Sequence, residues 1–166
     1  MQREIINNIN IIYGKIEELC TSVKRDKNEI TLIAVSKKKS HELIEIALNN
    51  GIENFGENYA QELKEKSFLI NSEKIIWHFI GPIQSNKVKI IANHADWIHS
   101  LEREKIIKKL DTECKKINKT INACLQVNIS NEESKSGCNP NDLIDLANLV
   151  ESCLLYTSPS PRDQLQ

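Results

Sequence analysis

The chain has 166 residues, enough for one domain with its own core, and carries a net charge of −1. That balance excludes a globally basic nucleic-acid binder, and two Trp, three Tyr and three Phe offer few platforms for stacking bases. No apolar run approaches the roughly 18 residues a membrane span needs, and the polar start Met1-Gln-Arg-Glu-Ile-Ile-Asn-Asn is unlike a signal peptide.

Ile5, Ile9, Ile12, Ile16, Leu19 and Val23 are spaced 4-3-4-3-4, which predicts a first helix with one apolar stripe packed on a globular body. Ile30-Thr-Leu-Ile-Ala-Val-Ser36 is uncharged and mostly aliphatic, and reads as a buried parallel strand. Lys37, Lys38 and Lys39 follow at its C-terminal end. Side chains alternate along a strand, so Ile33, Val35 and Lys37 share one face and Leu32, Ala34, Ser36 and Lys38 the other. Ser40 is placed to N-cap a helix carrying Leu43, Ile44, Ala47 and Leu48, with Gly51 ending it. Ile52–Phe55 reads as strand two, with Gly56 turning the chain into a helix that starts near Glu57 or Asn58. Strand three is Ile75–Ile80, stopped by Gly81-Pro82.

A helix over 85–93, strand four at Trp97–Ser100, and a charged amphipathic helix over 102–118 come next. Strand five is Ala123–Ile129. Asn139-Pro140 then supplies an N-cap and N1 pair for a helix bearing Leu143, Ile144, Leu146, Ala147 and Val150. Strands and helices alternating at short spacing specify a parallel α/β sheet. No G-x-G-x-x-G or P-loop sequence follows a strand, against a dinucleotide fold. A closed eight-stranded barrel needs about 250 residues. Residues 1–152 therefore read as the N-terminal part of a (β/α)8 TIM-type barrel, with about five parallel strands preceded by an N-terminal helix. Strands one and five are expected to present unpaired edges.

Residues 153–166 read as a separate segment. They contain no Ile, Asn or Lys, which supply 25, 18 and 18 residues of the rest, yet hold two of the four prolines. The stretch Leu-Leu-Tyr-Thr-Ser-Pro-Ser-Pro-Arg-Asp looks like translated adapter sequence, so 153–166 is expected to be a non-native, disordered tail.

Chemistry in parallel α/β folds gathers at the C-terminal ends of the strands. Lys37 would stand at the barrel mouth, where a lysine in a partly desolvated site can form an imine with an aldehyde. From spacing alone, a solvated lysine cluster capping the strand remains the alternative. Asn58 either offers a polar contact at a helix start or is a plain N-cap. His78 on strand three is either a site residue or a satisfied core histidine. Lys135 lies in a polar rim loop after strand five. Cys20, Cys114, Cys124, Cys138 and Cys153 are odd in number, scattered and never in a C-x-x-C pair. They fit reduced thiols in a cytoplasm, and no metal site is expected.

Five motifs occur in order at these strand ends: Ala34-Val-Ser-Lys37 with Lys39; Phe55-Gly-Glu-Asn-Tyr59 with Gln61-Glu62; Trp77-His-Phe-Ile-Gly81 with Gln84, Asn86 and Lys87; Asn128-Ile-Ser130; and Ser134-Lys-Ser-Gly137. Together they resemble the pyridoxal phosphate homeostasis protein family, relatives of the N-terminal barrel of alanine racemase, over about positions 3–152.

The resemblance implies that Lys37 forms the Schiff base with pyridoxal 5′-phosphate (PLP). It makes Asn58, His78 and Lys135 further cofactor-binding candidates. It also implies a cytoplasmic, non-catalytic PLP-binding protein of intracellular PLP homeostasis, with PLP-dependent apo-enzymes as partners, no nucleic acid or membrane partner, and a monomeric or weakly dimeric parent. The alternative on the same barrel is a PLP-dependent amino-acid racemase or decarboxylase, which would add a second domain and a catalytic tyrosine. Ser40 stands where the family usually has proline. The family's later strands, with the segments that hold the phosphate and the arginine facing the pyridine nitrogen, are expected to lie beyond residue 152.

Overall fold

The computed structural model describes residues 2–130, 132, 134–153 and 155–157, the last three by backbone alone. The order is α1 (Gln2–Ser22), a 3-10 turn (Lys27–Glu29), β1 (Ile33–Val35), α2 (His41–Leu48), β2 (Asn54–Glu57), α3 (Ala60–Leu69) and β3 (Ile76–Phe79). There follow α4 (Val88–His94), β4 (Trp97–Leu101), α5 (Glu104–Ile117), β5 (Ile121–Leu125), a 3-10 turn (Pro140–Asp142), α6 (Leu143–Glu151) and β6 (Leu155–Thr157). The six strands form one sheet in the order β1-β2-β3-β4-β5-β6, every neighbouring pair parallel. An open doubly wound sheet reverses its strand order at a switch point; this one never does, as in a barrel sector.

The register aligns Val35, Gly56, His78, Trp97 and Asn122 in one row across the inner face, and Ala34, Phe55 and Trp77 across the outer. The outer face is the core. Phe55, Trp77, Phe79, Ile98 and Ile121 are buried against Ile44, Leu63, Ile91, Ile107 and Leu110 of the helices. Full burial of such a side chain stabilises the fold by about 2 kcal/mol. The inner face is open among the described residues, and Val35 is 51% exposed.

Several element boundaries and one burial pattern differ from the sequence reading. β1 covers only 33–35 of the expected 30–36, because its ladder with β2 spans three residues and nothing among the described residues pairs with its other side. β2 runs through Gly56 and Glu57 instead of stopping at Phe55, since the Glu57 charge is met by a buried lysine described below. β5 begins at Ile121 and ends at Leu125, and Val127 bridges separately to Cys138. The stripe of α1 is covered only in part. Ile9 and Cys20 are buried, whereas Ile12, Leu19 and Val23 are 42%, 66% and 69% exposed. A heptad-spaced stripe drifts around a straight helix, and the main contacts of α1 are with α2 and the 3-10 turn.

Leu155–Thr157 pairs with β5 as a sixth parallel strand, inside the stretch expected to be a disordered tail. The second edge of the sheet is therefore β6, not β5. Leu, Tyr and Thr suit a pleated ladder, and β5 offers an open one. Residues 158–166 of that expected tail lie outside the described residues.

Candidate functional site

At the end of β1 the chain turns through Ser36–Lys39, where the Lys39 N–H donates to the Ser36 carbonyl at 3.0 Å. Lys38 takes a φ of 58° in this turn. A positive φ at the third turn position favours glycine, and a lysine holds it only where neighbouring groups fix the backbone.

Those groups come from β2 and α3. Lys66 Nζ is buried beneath α3 and donates to the Ser36 carbonyl at 2.8 Å, Glu57 Oε1 at 2.8 Å and Glu62 Oε2 at 2.9 Å. All three ammonium donors are thus engaged. Ser36 Oγ donates to Glu57 Oε1 at 2.6 Å, and the Lys38 N–H donates to Glu62 Oε2 at 2.7 Å. Burial pushes the Glu57 carboxyl above the usual carboxylate range, while its bonds to Lys66 and Ser36 pull the other way. Glu62, although burial opposes it, is held below that range by Lys66 and the Lys38 N–H. Ser36 and Glu57 lie on the outer, helix-covered face, so alternation leaves Lys37 with Val35 on the inner face. The Lys37 side chain is exposed and has no hydrogen-bond or ion-pair partner among the described residues.

On the inner face His78 is 3% exposed and bridges two strands, with Nε2 2.9 Å from Asn54 Oδ1 and Nδ1 2.9 Å from His99 Nε2. With Asn54 Oδ1 accepting, the proton sits on His78 Nε2, and His78 Nδ1 accepts from His99 Nε2–H. Trp97 stacks on both rings at centroid distances of 5.9 and 6.0 Å. Burial and the neighbouring His99 lower the His78 pKa to about 4, and burial lowers that of His99.

Asn58 follows β2 with the parity of Gly56, and its Oδ1 is buried without a partner. It lines a cavity of about 340 Å³ with Tyr59, Gln61, Pro82, Gln84 and Lys87 on the C-terminal rim. A Cβ at Gly81 would fall 2.1 Å from the Asn58 carbonyl oxygen, so this close approach requires glycine. Lys135 is exposed in the loop after β5 and pairs with Glu132 at 2.6 Å. No hydrogen bond joins Lys37 to Asn58, His78 or Lys135. Sequence reasoning missed the Lys66 cluster. The Glu62–Lys66 spacing of i, i+4 on α3 was the available sign.

The sequence profile of the alanine racemase N-terminal domain matches residues 11–156. A pyridoxal phosphate homeostasis protein of Haemophilus influenzae is 41% identical over 97% of this chain and 71% of its own length. The chain belongs to the pyridoxal phosphate homeostasis protein family. Another member of that family, from Pseudomonas aeruginosa, is 43% identical over 89% of the chain, which spans 64% of that relative's length. Among solved structures, PipY of Synechococcus elongatus without PLP superposes with a TM-score of 0.73 at 31% identity, covering 84% of this chain and 66% of PipY. PipY with PLP bound gives a TM-score of 0.71 over the same shares. Alanine racemase of E. faecalis, at 15% identity and a TM-score of 0.62 over 93% of this chain and 44% of its own, shares the fold. Among the described residues no group of three His, Cys, Asp or Glu is arranged to hold a metal, and no helix is long and apolar enough to cross a membrane.

Proposed function

We propose that the chain binds PLP covalently through Lys37 as a Schiff base and serves intracellular PLP homeostasis as a carrier, without turnover. The observation that carries this reading is the Lys37 amine. It is exposed and, among the described residues, unpartnered, on a fixed turn at the C-terminal end of β1, in a chain that superposes on a PipY structure with PLP bound. Attachment requires the uncharged amine to add to an aldehyde carbon and release water.

The other residues fit a polar aromatic ligand in secondary roles. Asn58 has an unsatisfied buried amide oxygen, and the partly exposed His99, hydrogen-bonded to buried His78, offers a ring surface. The bond to Glu132 leaves Lys135 as an accessory contact at most. Cytoplasmic location and delivery to PLP-dependent apo-enzymes belong to the same proposal.

The test is reduction of the PLP-treated chain with borohydride, followed by peptide mass spectrometry. The adduct is expected on Lys37, to vanish in Lys37→Ala and to persist in Lys38→Ala. A wild-type adduct on Lys38 or Lys39 overturns the assignment.

A further inference from the structure

Both peptide groups that flank Lys37 are tied to one buried ion cluster. The carbonyl of Ser36, on its N-terminal side, accepts from Lys66 Nζ. The N–H of Lys38, on its C-terminal side, donates to Glu62 Oε2, which also accepts from Lys66. Glu57 closes the set by binding Lys66 and the Ser36 hydroxyl through the same oxygen. We infer that Lys66, Glu62 and Glu57 are positioning residues: they clamp the turn so that Lys37, not its neighbours Lys38 and Lys39, is the lysine offered to an aldehyde at the barrel mouth.

Three lysines in a row present three amines of equal intrinsic nucleophilicity, so selection among them must come from the backbone. The clamp supplies it by holding Lys38 at φ 58°, a conformation an unrestrained lysine rarely occupies. Within the same cluster, Lys66 is removed as a competitor, because burial and three hydrogen bonds keep its ammonium engaged.

The inference rests on the functional reading above, and two readouts on the same chain separate them. Lys66→Met is the direct variant, but it leaves Glu57 buried without its countercharge and so lowers the stability of the whole chain. Glu62→Ala is the second. It sits inside α3, where alanine is a good helix former, and removes only the acceptor that ties Lys38 to Lys66. In Glu62→Ala the Lys38 amide should exchange with deuterium about ten- to a hundredfold faster than in the wild type, the loss expected for one charge-assisted bond. Borohydride-trapped PLP should spread from Lys37 onto Lys38 and Lys39, and Glu62→Asp should restore part of the Lys37 preference. Unchanged Lys38 exchange, or faster exchange with the adduct still confined to Lys37, overturns the inference. A wild-type chain that traps no PLP at Lys37 overturns the functional reading instead, and the clamp is then judged on the Lys38 amide alone.

Discussion

His78 and His99, on adjacent strands, share a 2.9 Å hydrogen bond that His78 Nδ1 accepts only while His78 is neutral, because its Nε2–H is given to Asn54 Oδ1. A proton added to His78 would place Nδ1–H against His99 Nε2–H, in a site that already disfavours charge.

The pH dependence of stability follows. Below the ordinary histidine value of 6.5 the unfolded chain takes up a proton that folded His78 refuses until about pH 4. The folded state therefore binds fewer protons in that window, and stability falls as pH drops from 6.5 to 4. After allowance for solvent screening, the loss from His78 is about 2 kcal/mol. Glu57 acts with the opposite sign. Its folded value lies above 4.5, so it favours the folded state at low pH and loses that contribution as pH rises through the folded value. Urea unfolding at pH 7, 5.5 and 4 should show the decline, and His78→Gln should flatten it. A wild-type midpoint independent of pH over this range would refute the assignment.

Lys66→Met should destabilise the fold by about 3–5 kcal/mol, the cost of stranding a buried carboxylate. Lys108→Met, which breaks an ion pair with Glu104 on the solvated side of α5, should leave the urea midpoint close to wild type. Equal midpoints for the two variants would show that burial of Glu57 and Lys66 does not set the energetics.

Gly81→Ala should cost about 3 kcal/mol, because the backbone of Asn58 cannot yield the way a flexible side chain would. Gly14, with nothing within 4 Å of a Cβ, is the control inside α1, and Gly14→Ala should be neutral or stabilising. A midpoint for Gly81→Ala at or above the wild-type value counts against the close approach.

The sheet ends at β1 and β6 among the described residues, and Val35 on its inner face is half exposed. The chain should associate with increasing concentration, since an open edge is a template for pairing. Light scattering that gives a constant monomer mass up to about 100 μM would contradict this.

The sequence carried the parallel α/β order through strands and helices alternating at short spacing, and it placed Lys37–Lys39 at the C-terminal end of β1. It did not carry the extent of β2. Glu57 looks like a strand terminator until Lys66, 9 residues on, is seen to neutralise it inside the core. Lys66 occupies the buried face of α3 one turn after Leu63, where periodicity predicts an apolar side chain. Composition marked residue 153 as a boundary, yet Leu155–Thr157 forms a ladder with β5, because strand pairing depends on backbone and local shape, which composition does not report. His99 was visible as a strand-end histidine, but its partnership with His78 depends on the register between β3 and β4.

The clamp around Lys37 also bears on the order of assembly. Its long-range bonds link residues 21, 24 and 30 positions apart, all between Ser36 and Lys66. Closing loops of that size is entropically inexpensive compared with bringing β1 to a strand at the far end of a barrel. The turn can therefore reach its final shape once β1, β2 and α3 have met, while the remainder of the sheet is still being added. The shape of the backbone around Lys37 is encoded as a local property of two consecutive βα units.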